Sequence, residues 1–463
     1  MSFIQTRQLA RQCLAWLMLL GSLLTVSPGR ADEKTVLVSE TSVGAGWSET
    51  IAKEGDTVYI ARHGDGVDIL DVSLPHAPLL IANIDPDGPA YDTVDVWDVQ
   101  VLNGILYVFN KGTAEDPNPD KGDWTGVYMY DVSLPWAPVE VGAIVWGKHP
   151  WHHLGAWTTS GEVGLIAGVP HLFVCSKISS DVEVFDVSNP AVAVWKSTIL
   201  RPAWKQSEET VYRDGKLYTA WGTEGFTIDD VSDPDAPVRL GHQPYTGPLV
   251  VNGGLRTLSP TPDGTHVVTG EYTTVGDVRL WNVSNPGAIT QVASWRLGTN
   301  ALLWSVRATN DYAYVAHLED GIRILDIGTR TSLTPAGFFD PDPAPPVRTW
   351  AGISDIVVDG MLLYASHETR GLFVVEHDPL LPPPDVVTIT SATYRTSKRE
   401  LKVYATSSQQ PTPTLTVAGL GTMTWKSRDR RYELTRRVNT NPGSVTVESS
   451  ARGRATATVS VQR

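Results

Sequence analysis

A five-residue turn recurs down this chain and constrains its fold more than any other feature. It reads Asp-Val-Ser-Leu-Pro at Asp71–Pro75 and Asp131–Pro135, Asp-Val-Ser-Asn-Pro at Asp186–Pro190 and Asp-Val-Ser-Asp-Pro at Asp230–Pro234. A variant spans Asn282–Pro286, a shortened copy sits at Asp326-Ile327-Gly328, and a seventh lies at Glu376-His377-Asp378-Pro379. Successive copies start 60, 55, 44, 52, 44 and 50 residues apart. A period of this size marks an array of stacked supersecondary units.

Within each unit, short runs rich in Val, Ile and Tyr alternate with turn residues. Val96–Val101, Leu106–Phe109 and Val67–Leu70 are such runs, and Asn103-Gly104, Asp214-Gly215 and Asp359-Gly360 are such turns. Runs of this composition between these breakers read as strands. Asp and Ser side chains can bond nearby backbone, and Pro presets φ while ending a ladder, so the recurring motif suits a chain reversal. Four strands in each of seven units predict an all-β fold with a seven-bladed β-propeller over residues 32–380. The last unit lacks a fourth strand before Pro382-Pro383-Pro384, and Lys34–Ser39 is expected to supply it and close the ring. Spacing and turn together resemble the LVIVD-repeat family of bacterial surface and periplasmic propellers. That resemblance covers roughly residues 34–380 and implies a propeller fold without implying a particular activity.

The two ends differ from this middle. Residues 1–31 read as a secretory signal peptide: Arg7 and Arg11 first, then the apolar stretch Leu14–Val26, then Gly29-Arg30-Ala31 as a cleavage site. The apolar stretch is short for a membrane span, so the mature chain is expected to lack one and to be periplasmic or secreted. It then keeps one cysteine, Cys175, read as a buried structural thiol. Residues 381–385 form a Pro-rich linker. Beyond it, residues 386–463 alternate in short runs, as in Val386–Thr390, Leu401–Tyr404 and Ser444–Val447, and predict an immunoglobulin-like β-sandwich. This part resembles the accessory sandwiches attached to secreted bacterial proteins.

Charge separates the parts. The net charge is −14; residues 1–31 contribute +3 and residues 385–463 contribute +8, which leaves −25 for residues 32–384. A strongly acidic propeller argues against nucleic acid as its ligand, while the basic C-terminal part suits an acidic surface polymer or the acidic propeller itself.

A propeller gathers its loops around one channel, so site candidates are the residues that enter the first strand or leave the second strand of each unit. Ligand-pocket candidates are Trp97, Asp98, Glu208, Glu209, Arg307 and Asp355, with Glu49, Lys111, Lys177, Trp221 and Glu271 at matching positions. Trp151 adds an aromatic wall in the segment His149–Trp157. His63, His317 and His367 fall in the first, sixth and seventh units, which meet when a ring closes, and could converge on a metal with Asp355 nearby. His152 and His153 are further candidate ligands or lid residues. Their segment resembles the His-His-x-Gly-Trp stretch of the selenium-binding/methanethiol oxidase family, which implies copper; it departs by an extra residue before Trp157 and by the absence of the cysteines that follow there. Asp116, Asn118 and Asp120 place oxygens at alternate positions, a partial calcium-loop pattern.

The first expectation is an exported binding platform for a protein partner or a surface polysaccharide. The alternative is a copper- or zinc-dependent enzyme, an oxidoreductase in type, built on the histidines. Whether the chain is an enzyme is left open by the sequence.

Overall fold

The computed structural model describes residues 30–31, 34–43, 47–86, 95–110, 126–145, 158–176, 181–203, 207–247, 254–272, 277–296, 302–342, 351–380, 385–451 and 453–462. Most of the proposed signal peptide, the linker prolines and the segments with Lys111, Lys177, Asp116, Asn118, Asp120, Trp151, His152 and His153 lie outside the described residues. Two compact units divide at His377 and Asp378.

Among the described residues the first unit holds seven antiparallel sheets. The first sheet takes Trp47–Glu54, Thr57–His63, Gly66–Asp71 and Leu79–Ile84 in chain order, and the next four repeat that order. The sixth runs Ser305–Ala308, Tyr312–Ala316, Ile322–Asp326 and Thr334–Asp340, with Arg30–Ala31 added at its outer edge. In the seventh, Ile353–Asp359, Leu362–His367 and Gly371–His377 are joined by Thr35–Thr41, whose Thr35 pairs with His377. The strand near the start of the chain thus completes the sheet near the end of the unit.

Each sheet's first strand lies beside the first strand of the next, and Ile353–Asp359 lies beside Trp47–Glu54. Ser354 Oγ donates to the Ser48 carbonyl at 2.9 Å and Ser48 N–H donates to the Glu368 carbonyl at 3.0 Å, so the ring is closed by polar contacts as well as packing. The arrangement is β-propeller-like. Among the described residues there is no α-helix, only short 3-10 turns at Pro190–Val192 and Pro286–Ala288, and no helix long and apolar enough to cross a membrane.

The recurring turn does three jobs. Its first side chain accepts the N–H of its third residue: Asp71 from Ser73 at 2.8 Å, Asp186 from Ser188 at 2.9 Å, Asn282 from Ser284 at 3.0 Å and Asp326 from Gly328 at 2.8 Å. These bonds hold the Asp71 and Asp131 carboxylates below their ordinary range. Its second residue donates its N–H to the hairpin turn between the first two strands, as Val72 does to the Asp56 carbonyl at 2.8 Å and Ile327 to Asp311 at 2.8 Å. The same residue's side chain is buried, at 2 % exposure for Val72 and 0 % for Val231 and Ile327. A short motif therefore ties the inner hairpin of a sheet to its outer strands and plugs the gap with an aliphatic group.

The second unit holds two sheets around one core. Thr424–Lys426, Arg431–Arg437, Glu400–Ser407, Val387–Arg395 and Ser460–Gln462 form one; Gly421–Thr422, Leu415–Val417, Ser444–Ser449 and Arg454–Thr458 form the other. Leu401, Val403, Leu415, Val417 and Val447 meet between them, fully buried. Alternation in strands such as Glu400–Ser407 places every second residue inward.

Ile327→Ala removes a fully buried side chain that plugs the sixth sheet. Large-to-small changes of this kind cost about 2–5 kcal/mol. Urea unfolding of the variant is expected to show a lower midpoint for the first unit; an unchanged midpoint would mean the turn's second residue does not seal the sheet.

Candidate functional site

The first strands of all seven sheets face one another across a cavity of about 500 Å³. Five of these strands carry a register shift at their entry, at Ser48/Ile51, Val96/Asp98, Thr158/Ser160, Leu255/Thr257 and Ile353/Asp355. Such bulges re-aim side chains. Here they bring a polar residue to the same level in successive sheets. Thr50 accepts the Val99 N–H at 3.2 Å, Asp98 that of Gly161 at 3.0 Å, Glu209 that of Leu258 at 3.0 Å, Thr257 that of Val306 at 3.1 Å and Asp355 that of Ile51 at 3.4 Å. Ser160 continues the belt in reverse polarity by donating to the Glu208 carbonyl at 2.9 Å. Gly161 is needed there because a Cβ would stand 2.2 Å from the Phe109 ring and 2.5 Å from the Phe173 carbonyl oxygen. Three of the candidate pocket acids are therefore also staples between neighbouring sheets.

Arg307 crosses the cavity. Its Nη1 bonds Glu209 Oε1 at 2.9 Å and its Nη2 lies 2.8 Å from Asp355 Oδ1. Burial opposes its charge, yet Asp355 and Glu209 hold the guanidinium above its ordinary range. Asp98 has its oxygens on the N–H groups of Val99 and Gly161. Burial pushes it up to about 7, with Asp355 adding to the rise against the Gly161 bond. Glu162 is pushed up to about 8, first by burial and then by Asp98, with Arg307 pulling the other way. Pocket candidates Trp97, Asp98, Glu208, Glu209, Arg307 and Asp355 all line the cavity, as does Glu49.

At the end where the first strands begin, Glu49 is a hub. It is 5 % exposed and accepts from Arg256 Nη2 at 3.2 Å and Trp304 Nε1 at 3.1 Å, with His63 Nε2 at 3.3 Å from its other oxygen. The Arg256 guanidinium lies 3.7 Å over the Trp304 ring, and the His63 ring sits 4.8 Å from that of Trp97. Stacking of this kind presents a cation and flat apolar faces together. Burial alone would lower His63, but hydrogen bonds to Asp95 and Glu49 win and raise it to about 9. Glu368 is pushed up to about 8 by burial and then by Glu49 and Glu319.

The histidine trio is distributed among separate carboxylate partners. His63 Nδ1 is 2.8 Å from Asp95, His367 Nε2 is 2.8 Å from Asp342 while its Nδ1 accepts the Thr369 N–H at 3.2 Å, and His317 Nδ1 is 3.5 Å from Asp320. Among the described residues no group of three His, Cys, Asp or Glu side chains could hold a metal ion. Trp221, expected on the rim, is fully buried: the tight turn Trp221–Gly225 folds it inward and its Nε1 donates to Thr227 Oγ1 at 2.8 Å. Glu271 is likewise taken up by Arg279 at 2.7 Å and Tyr245 at 3.1 Å. Cys175 is buried, and burial pushes its thiol up to about 12.

Glu162, Arg213, Arg256 and Trp304 line the cavity without having been singled out from the sequence. A signal existed for Glu162: it pairs with Phe173 as Arg307 pairs with Tyr314, so it occupies Arg307's place in the third sheet.

His63 yields a signed pH dependence. The folded state holds its proton more tightly than the ordinary value of 6.5, so its contribution is whole below about 6.5 and is lost as pH rises through about 9. Melting temperature is expected to fall more steeply across that window in the wild type than in His63→Gln. An imidazole NMR titration should centre near 9, and a midpoint at or below 6.5 would contradict the Glu49–His63–Asp95 arrangement.

Comparison with known proteins agrees at the level of fold. Among curated proteins none matches the chain. The solved structure of U3-55K superposes with a TM-score of 0.51 over 74 % of this chain and 98 % of that one, at 13 % identity, a likeness of fold alone. The LVIVD repeat model matches residues 45–85 and 303–340, which hold the first and sixth sheets, and this repeat family is β-propeller-like.

Proposed function

We propose that this chain is an exported binding platform: a seven-bladed β-propeller carrying an immunoglobulin-like sandwich, with a protein partner or an anionic surface polysaccharide engaged at the Arg256–Trp304 end of the channel. One observation carries the reading. Seven first strands converge on one polar cavity whose end bears a guanidinium stacked on an indole and fixed by a buried carboxylate. Arg256 and Trp304 keep part of their surface in solvent, and Trp97 beside them does too. Stacked Arg and Trp are the residue types that anchor interfaces. Export is supported by Arg7, Arg11 and the apolar stretch Leu14–Val26. The charge of +8 in residues 385–463 suits an acidic polymer as a second contact.

Capture tests this directly. Immobilised wild-type chain and an Arg256→Ala/Trp304→Ala variant are exposed to a solubilised envelope protein fraction and, separately, to purified anionic surface polysaccharide. The wild type is expected to retain one of them, and the variant to retain it about tenfold or more weakly, the scale of losing an interface anchor. Equal retention by a cooperatively folded variant would remove this end of the channel from the interaction.

A further inference from the structure

The charged groups of the channel wall divide unevenly. Glu209 and Asp355 share Arg307, Glu49 holds Arg256, Lys53 pairs with Asp359 at 2.6 Å, and Asp98 is spent on two main-chain N–H groups. Glu208 is engaged as well, which leaves Glu162 and Arg213. Neither makes a hydrogen bond or ion pair among the described residues, and the Arg213 Nε is buried without a partner. They stand on adjacent first strands, Thr158–Ile166 and Glu209–Arg213, which pack side by side. Both line the cavity and both are half-buried, so water reaches them.

Strand geometry places them relative to each other. Glu209 faces the channel, where it binds Arg307, and side chains alternate along a strand, so Arg213 shares its face. Glu162 is at the level of Val211, since their partners Phe173 and Tyr218 are equivalent in the two hairpins. Arg213 then lies two residues further along, about 7 Å down the strand. A carboxyl group and a guanidinium face one cavity, near enough to feel each other and too far apart to pair.

We infer that Glu162 and Arg213 form a binding site for a small linear zwitterion, an amino acid whose ammonium meets Glu162 and whose carboxylate meets Arg213. A carboxylate suits the planar donor fork of Arg213. An ammonium suits Glu162, because among the described residues six acidic side chains line the cavity against four basic ones, with Asp98 and Glu209 near Glu162. The offset along the strand favours a chain of several methylenes over glycine. This inference goes beyond the platform reading and shares with it only the open cavity.

Titration calorimetry on the full chain tests it with glycine, β-alanine, 4-aminobutyrate and 5-aminopentanoate, beside butylamine and butyrate as single-charge controls. The longer amino acids are expected to bind, the controls at least about tenfold more weakly, and both Glu162→Gln and Arg213→Gln to lose about tenfold or more, the loss expected for one charge-assisted hydrogen bond. Arg213→Lys, which keeps the charge, should recover part of the affinity. Affinity should rise with pH toward about 8, as Glu162 ionises. No binding by any amino acid, equal binding by butylamine or butyrate, or unchanged affinity in cooperatively folded Glu162→Gln would overturn the inference. Envelope capture on the same preparations keeps the two readings apart: capture without amino-acid binding sinks this one alone, and the converse sinks only the platform.

Discussion

Main-chain N–H groups at the centre of the ring need acceptors, and their satisfaction is what the rest of the first unit depends on. A first strand pairs with only one neighbour in its own sheet, so its other edge must find acceptors elsewhere. The belt Thr50, Asp98, Glu209, Thr257 and Asp355 supplies them from the adjacent sheet. These side chains therefore set how closely the sheets approach and how wide the cavity is. Leaving one buried N–H unpaired costs about 1–3 kcal/mol, so the belt is both a stabilising device and a limit on which cavity acids are free to act. Arg307, clamped between Glu209 and Asp355, spans the opening and neutralises two of them.

The belt also sorts the cavity chemistry. Carboxylates tied to N–H groups or to Arg307 keep a fixed place, whereas Glu162 has no such bond among the described residues, and burial and then Asp98 raise it above the ordinary carboxylate range against the pull of Arg307. At the opposite extreme, Glu49 fixes Arg256, Trp304 and His63 around one buried carboxylate. The channel thus has a rigid charged end and a less committed interior, two environments within one ring.

Much of the fold was legible because the recurring turn does mechanical work that leaves a sequence trace. Its Asp must cap a Ser N–H and its Val must fill a hole, so both are repeated. The unpaired seventh unit pointed to Lys34–Ser39, and Thr35–Thr41 pairs there. The site was only partly legible. Asp98, Glu209 and Asp355 could be read because they open their strands, and Glu162 repeats the position of Arg307, whereas Arg213 lies two residues further along its strand, past the entry positions. Trp221 looked like a rim residue because its position matches Glu271 and His317, yet a tight turn and Thr227 draw its indole inward. His317 and His367 match in register, with His63 one residue off; Asp95 and Asp342 come from other turns and Asp320 from His317's own turn, so each imidazole lies beside a different aspartate.

Recognition is proposed for the channel end built by Glu49, Arg256 and Trp304. Hydrogen–deuterium exchange of the full chain, with and without the species it captures, reads that location residue by residue. New protection is expected over 254–257 and 302–305, with the belt amides, Leu258 and Val306 among them, slow in both states. Protection confined to the outer strands of the sheets, or to residues 387–462 alone, would contradict it.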